Sequence, residues 1–204
     1  MKCVLLFEKY TQIRRIVEQY NSNIKKDKWG GLIGESIALK NEYLMTPCVG
    51  SMHVLNTVYI LATKYGYTNF VRIGSCGVRN DEIELGDVLI HDACLNKDAI
   101  SEKYFPKSAC IPTEKLYKKM MTLNFKACSV YTMDVSWERI NTNADVVDME
   151  TTALYSLVNE LRAEAVSISV ARDNPMSRIS TETLSDIILR TTMNIIDVIE
   201  EFDN

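Results

Sequence analysis

Two alternating periods constrain this chain more than any other feature of its sequence. Short apolar or β-branched runs, bounded by Gly, Asn or charged residues, predict strands over 2–7, 35–39, 42–46, 69–73, 87–93, 126–133 and 165–170. Between them the spacing changes from two to three and four. Met52, Leu55, Val58, Tyr59 and Ala62 form one such stripe, with Gly66 as its stop. Met149, Ala153, Leu154, Leu157, Val158 and Leu161 form a second, and Leu184, Ile187, Ile188, Thr191, Ile195, Ile196, Ile199 and Phe202 a third. Strands interleaved with helices predict an α/β domain on a largely buried mixed sheet, with ligands beyond the strands' carboxyl ends.

At 204 residues, one domain spanning 1–204 is the expectation. The net charge of -4 and the lack of a Lys/Arg stripe argue against a nucleic-acid partner. The run Lys25-Lys26-Asp27-Lys28 reads as a solvated loop. No apolar stretch approaches a membrane span, and the run from Cys3 to Phe7 is too short for a signal peptide, so a cytoplasmic protein is expected. Six scattered cysteines without a CxxC pair read as reduced thiols. With only His53 and His91, a metal centre is not expected.

Three stretches carry chemistry. In Arg72-Ile-Gly-Ser-Cys-Gly77, a predicted strand ends in a loop over 74–77, where two glycines let a ligand approach the backbone. Arg72 offers a planar fork suited to phosphate, and Ser75 a hydroxyl. In Val146-Val-Asp-Met-Glu-Thr151, Asp148 and Glu150 bracket Met149 where a strand gives way to a helix. One carboxylate there can accept hydrogen bonds from a vicinal diol while the methionine packs on a sugar face. In Ser167-Ile-Ser-Val-Ala-Arg-Asp-Asn-Pro175, Asp173 stands at a strand's carboxyl end, where a buried acid can protonate a leaving group. Alone, each stretch has an ordinary explanation: a tight turn, acids in a helix's first turn, and an Asp-Asn-Pro turn.

In this order the three stretches resemble the purine nucleoside phosphorylase and uridine phosphorylase family. RIGSCG followed by GDVLI is similar to its R-[VIA]-G-[ST]-C-G…GDV pattern, and VVDMET to its V-E-M-E-[AT] motif. The resemblance runs from the first strand to the last helix and implies a partly closed mixed sheet flanked by helices. It implies cleavage of a nucleoside's N-glycosidic bond, with no cofactor and with phosphate as co-substrate. By the same resemblance Arg72 contacts phosphate and contributes to catalysis, and Ser75 lies between phosphate and sugar. Asp148, Met149 and Glu150 surround the ribose, and Trp137 stacks on the base. Asp173 is the catalytic acid if one residue is inserted, since a gapless count puts Ala171-Arg172 there; by the likeness to uridine-type members, which carry Asn and Arg around this strand end, Arg172 and Asn174 instead serve a pyrimidine carbonyl. A homodimer or homohexamer is implied.

The departures concern phosphate. The family's Gly-Asp-Pro-x-Arg loop after the first strand reads Glu8-Lys9-Tyr10-Thr11-Gln12 here, with an acid at the glycine and Gln12 at the arginine. Arg14 and Arg15 are the nearest replacements, and Trp29 stands where a neighbouring subunit's arginine is lent. The retained Arg72 places phosphorolysis first among the expectations. A nucleosidase using water is the alternative, followed by a nucleoside-binding protein without activity.

Overall fold

The computed structural model describes residues 3–20, 25–28, 35–39, 43–135 and 141–201. Nine strands form one mixed sheet in the order β2-β3-β4-β1-β5-β8-β7-β6-β9. They are β1 (Cys3–Phe7), β2 (Lys25–Lys28), β3 (Glu35–Leu39), β4 (Tyr43–Pro47), β5 (Asn69–Val78), β6 (Val88–Cys94), β7 (Lys126–Thr132), β8 (Val146–Asp148) and β9 (Glu164–Asp173). β5 also pairs with β9, which curls β5, β8, β7, β6 and β9 into a closed ring. The helices are α1 (Tyr10–Tyr20), α2 (Ser51–Tyr65), α3 (Ala99–Tyr104), α4 (Glu114–Met121), α5 (Thr151–Leu161) and α6 (Thr181–Glu201).

The period-two and period-3.6 patterns meet in the core. In β1, Cys3, Leu5 and Phe7 face one side and pack with Ile13, Ile16 and Val17 of α1 and Ile188, Ile195 and Ile196 of α6. Val4 and Leu6 face the other and pack with Val54 and Val58 of α2 and Leu154, Tyr155 and Val158 of α5. A third cluster, including Cys76, Val78, Leu89, Val130 and Ala171, fills the ring. Gly66 closes α2 in the left-handed conformation, φ 72°, and its N–H bonds to the Ala62 carbonyl.

Two sequence expectations are corrected. Residues 74–77 are no loop: β5 runs on to Val78, and its register against β9 slips between Cys76 and Gly77. The chain continues because Gly77 and Val78 find partners in Val147 and Val146 of β8, a three-residue strand the pattern did not reveal. The charged run Lys25–Lys28 is likewise a strand, antiparallel to β3 at the end of the sheet. Lysine-rich sequence is a usual way to protect a sheet edge.

β1, β4, β5 and β9 pair in parallel as β4-β1-β5-β9. Their carboxyl ends therefore bring Glu8, Val49, Ser75, Gly77, Arg172 and Asp173 to one rim. No helix among the described residues is long and apolar enough to cross a membrane.

Candidate active site

The rim encloses a cavity of about 380 Å³. Glu8, Ser75, Met149, Glu150, Arg172, Asp173 and Arg178 are among its lining residues, with Lys9, Val49, Met133 and Val147 beside them. Sequence motifs far apart in the chain are thus brought together. Trp137 and Trp29 lie outside the described residues.

The inner end is organised by one arginine. Arg72 is 3% exposed and faces three carboxylates. Its Nη2 lies 2.5 Å from Glu150 Oε2 and 3.6 Å from Glu8 Oε1, and its Nη1 lies 3.3 Å from Asp148 Oδ2. Burial alone would lower its pKa, but Glu150, Asp148 and Glu8 outweigh that and hold it firmly protonated. Three acids around one base leave a surplus of negative charge, and the acids respond differently. For Asp148, burial is outweighed by Arg72, His91 and hydrogen bonds from Thr151 and Thr132, so its pKa falls. For Glu150, burial together with Asp148 and Glu8 outweighs Arg72 and the Gly50 N–H, so its pKa rises.

Register explains how Glu8 comes to be there. Phe7 is level with Ile73 in the parallel β1–β5 pair, so the next residue emerges beside Gly74 and Ser75. The Ser75 N–H donates to Glu8 Oε1 at 2.5 Å, and the Ser75 hydroxyl lies 3.1 and 3.0 Å from the two carboxylate oxygens. A Cβ on Gly74 would stand 2.7 Å from Glu8 Oε1 and 2.8 Å from Arg72 Nη2. Gly74 is therefore a matter of space: no other residue lets the carboxylate and the guanidinium close together here.

Asp148 is also among the residues lining the cavity, and its side chain is fully buried. It accepts from the Thr132 hydroxyl at 2.8 Å, from the Thr151 N–H at 3.2 Å and from the Thr151 hydroxyl. It is thus a counter-ion to Arg72. His91 supports it from behind, with Nδ1 2.8 Å from Thr151 Oγ1 and Nε2 2.7 Å from Ser169 Oγ. Since Thr151 gives its proton to Asp148, it accepts from Nδ1–H, and Nε2 accepts from Ser169. Burial pushes His91 down to about 4, against the pull of Asp148 and helped by Arg72, so the ring is neutral. Burial likewise raises the Cys76 thiol to about 12, which rules it out as a nucleophile at neutral pH.

Glu150 stands before α5, and its Oε1 accepts from the Gly50 N–H at 2.7 Å. Ser51 opens α2 and its hydroxyl donates to the Met149 carbonyl at 3.1 Å, which ties the two helix starts together. The arginines near the first strand do not reach the site. Arg14 pairs with Glu18 on the surface, Arg15 reaches Asp186 on α6 at 2.6 Å, and Gln12 accepts from the Lys9 N–H at 3.0 Å.

At the outer end β9 finishes in Arg172 and Asp173. The Asn174 side chain accepts from the N–H groups of Met176 and Ser177 at 2.9 and 2.8 Å, which turns the chain back. Arg178 returns beside Asp173, with Nε 3.5 Å from Oδ2. Gly77 makes the room, because a Cβ there would lie 3.0 Å from Val147 Cγ2 and 3.3 Å from Asp173 Oδ1. Sequence reasoning found Arg172 and Asp173 and read 173–175 as a turn, but did not follow the turn back to Arg178. It named Glu8 only as a departure. Among the described residues, no three His, Cys, Asp or Glu side chains are placed to hold a metal ion.

A mixed sheet that closes on itself carries, at the rim formed by its parallel strands, an arginine ringed by three carboxylates. The chain belongs to the phosphorylase superfamily, whose family model matches residues 47–201. Members of that superfamily include phosphorylases and hydrolases. The chain is 25% identical to a DeoD-type purine nucleoside phosphorylase of Shewanella oneidensis over 197 residues, covering 85% of this chain and 81% of the relative. A DeoD-type enzyme of Alkaliphilus metalliredigens is 27% identical over 180 residues, with 78% and 76% covered.

Solved structures share the fold at lower identity. Purine nucleoside phosphorylase from Toxoplasma gondii in complex with immucillin-H gives a TM-score of 0.80 at 15% identity, covering 95% of this chain and 89% of that one. The Campylobacter jejuni 5′-methylthioadenosine/S-adenosyl homocysteine nucleosidase gives 0.75 at 16%, covering 98% and 99%. A futalosine hydrolase mutant of Helicobacter pylori gives 0.76 at 14%, covering 97% of each chain.

Proposed function

We propose that the protein is a nucleosidase: it cleaves the N-glycosidic bond of a nucleoside with water, releasing free base and free sugar. One observation carries the choice of water over phosphate. The donors that would receive an anion, the Ser75 N–H and hydroxyl with Arg72 behind them, are already engaged by the Glu8 carboxylate. A phosphate entering there would have to displace a fixed carboxylate and then face it. The retained Arg72, which favoured phosphate in the sequence, is accounted for by its three protein carboxylates.

The roles follow from position. Glu150 binds the ribose hydroxyls and Met149 packs against the sugar. Glu8, which lines the cavity with its carboxylate anchored on Ser75, takes one proton from a water held against the anomeric carbon. The C1′–O bond forms as the C1′–N bond breaks, and the bond pair leaves with the base, which is then protonated. As the sugar becomes cationic, the surplus negative charge of Glu8, Asp148 and Glu150 over Arg72 stabilises it through fixed groups that need no reorganisation. A homodimer belongs to this reading. Val49, Met52 and Tyr59, each more than half exposed, give the rim and the outer face of α2 an apolar surface.

The test is the initial rate of base release from a nucleoside panel as phosphate is varied. Hydrolysis gives the same rate with and without phosphate. A rate that rises from zero and saturates with phosphate would sink the proposal.

A further inference from the structure

Cys94, the last residue of β6, and Cys110, in the segment between α3 and α4, are neighbours in space, and both are free thiols and half-buried. The Cys94 N–H donates to the Cys110 carbonyl at 3.1 Å. A backbone bond of that kind sets the two Cα atoms about 5.5 Å apart, a usual separation in disulfides. The thiols also share one face of α5. Cys110 Sγ lies 3.2 Å from Ser156 Oγ, and the Cys94 thiol bonds to the Thr152 hydroxyl. Thr152 and Ser156 are four residues apart on the helix, so their side chains stand one above the other. The segment that carries Cys110 is fixed against that helix. Asn159 donates to the Ala109 and Ile111 carbonyls at 3.0 and 3.2 Å, and the Ser108 hydroxyl donates to Glu160.

We propose that Cys94 and Cys110 are a redox-active pair, oxidised by small disulfides to an intrachain bridge and reopened by thiols. Neither thiol takes part in cleaving a glycosidic bond, so the inference does not depend on water being the acceptor. Cys110 reacts first, because it stands between the exposed Ala109 and Ile111, whereas burial pushes the Cys94 thiol well up. The Cys110 thiolate attacks one sulfur of an oxidant R–S–S–R and expels R–S⁻, which takes up the proton Cys110 released; a mixed disulfide remains. The Cys94 sulfur then attacks the Cys110 sulfur, and the bond from Cys110 to S–R breaks. The second R–S⁻ leaves with the Cys94 proton. The two cysteines have lost two electrons, and the oxidant has become two thiols. Cys76 and Cys128 also sense each other's charge, but each is 3% exposed inside the ring, out of an oxidant's reach. The bridge fastens the end of β6 to the segment lying on α5, and it restrains residues 94–110 in the unfolded chain.

The experiment treats the purified full-length chain with oxidised glutathione, alkylates the remaining thiols and maps the tryptic peptides by mass spectrometry. The expected product joins residues 80–97 to residues 108–115, each holding one cysteine, at the summed peptide mass less two hydrogens. Dithiothreitol is expected to separate them again. Oxidation should raise the melting temperature by roughly 5–10 °C, and reduction should return it. Cys110→Ser is expected to show neither the linked peptides nor the rise, and Cys94→Ser to stop at a glutathione adduct on Cys110. A lasting adduct on Cys110 in the unaltered protein overturns the proposal, as does a bridge between any other two cysteines or no reaction at all. A bridged chain that melts no higher than the reduced one also overturns it, because the fold would then not accommodate the bond.

Discussion

The two ends of the cavity solve opposite problems. At the inner end the charged groups, all buried except the partly exposed Glu8, have partners inside the chain: Arg72 holds Glu150, Asp148 and Glu8, and the acids are bonded in turn to Gly50, Thr132, Thr151 and Ser75. At the outer end Arg178 and Asp173 are about half exposed and 3.5 Å apart, and Arg172 Nε has no hydrogen-bond partner among the described residues. A satisfied, desolvated cluster is preorganised, which is what stabilising a charged transition state requires. An underfilled wall that still offers donors is what recognising a ligand requires. Each glycine of the RIGSCG strand serves one end: Gly74 leaves room for Glu8, and Gly77 for Asp173.

The difference is sharpest when a charge is removed from the inner end. Arg72→Met leaves two buried carboxylates and the partly buried Glu8 without their cation, and a loss of about 3–5 kcal/mol in denaturant unfolding is expected, along with all turnover. Glu8→Gln keeps an oxygen that can accept from Ser75, so the fold should hold. The loss of the proton acceptor is expected to lower kcat by about 10²–10⁴-fold with little change in KM.

His91 gives a pH signature. Its folded pKa, about 4, lies below its ordinary 6.5, so the unfolded chain binds the proton more readily. The stability it contributes is complete above pH 6.5 and declines as pH falls towards 4, by on the order of 3 kcal/mol. In His91→Gln, denaturant midpoints measured across that window should lack this share of the acid sensitivity. An unchanged slope would mean that His91 is charged in the fold. Gly74→Ala is expected to cost about 1–3 kcal/mol, with lower turnover, because its Cβ must push both Glu8 and Arg72. Gly77→Ala meets looser neighbours and should cost less than Gly74→Ala in melting temperature.

Much of the inner end was legible in the sequence. Arg72, Ser75, Met149 and Glu150 belong to short motifs whose residue types announce their chemistry, and all four converge. Asp148 was legible as a site residue, but its partners were not: Thr132, Thr151 and His91 share no local pattern with it. Glu8 was invisible as a participant because its partner Ser75 is far along the chain, and only the β1–β5 register puts them side by side. Arg178 was missed for a related reason: a turn can be read from Asp173-Asn174-Pro175, but not where the returning strand directs its side chains. In the fold, helices α2, α5 and α6 and the apolar strands were legible, whereas α1, β2, β8 and the short helices α3 and α4 were not. Segments of three to eight residues hold too little periodicity to register.

The central claim is that Glu8 occupies the anion position and that water is the acceptor. Phosphorus NMR of a reaction mixture containing nucleoside, inorganic phosphate and enzyme tests it most directly. The expected result is an unchanged inorganic phosphate signal while free base and reducing sugar accumulate in equal amounts. A growing sugar 1-phosphate resonance, matched to the base released, would contradict it.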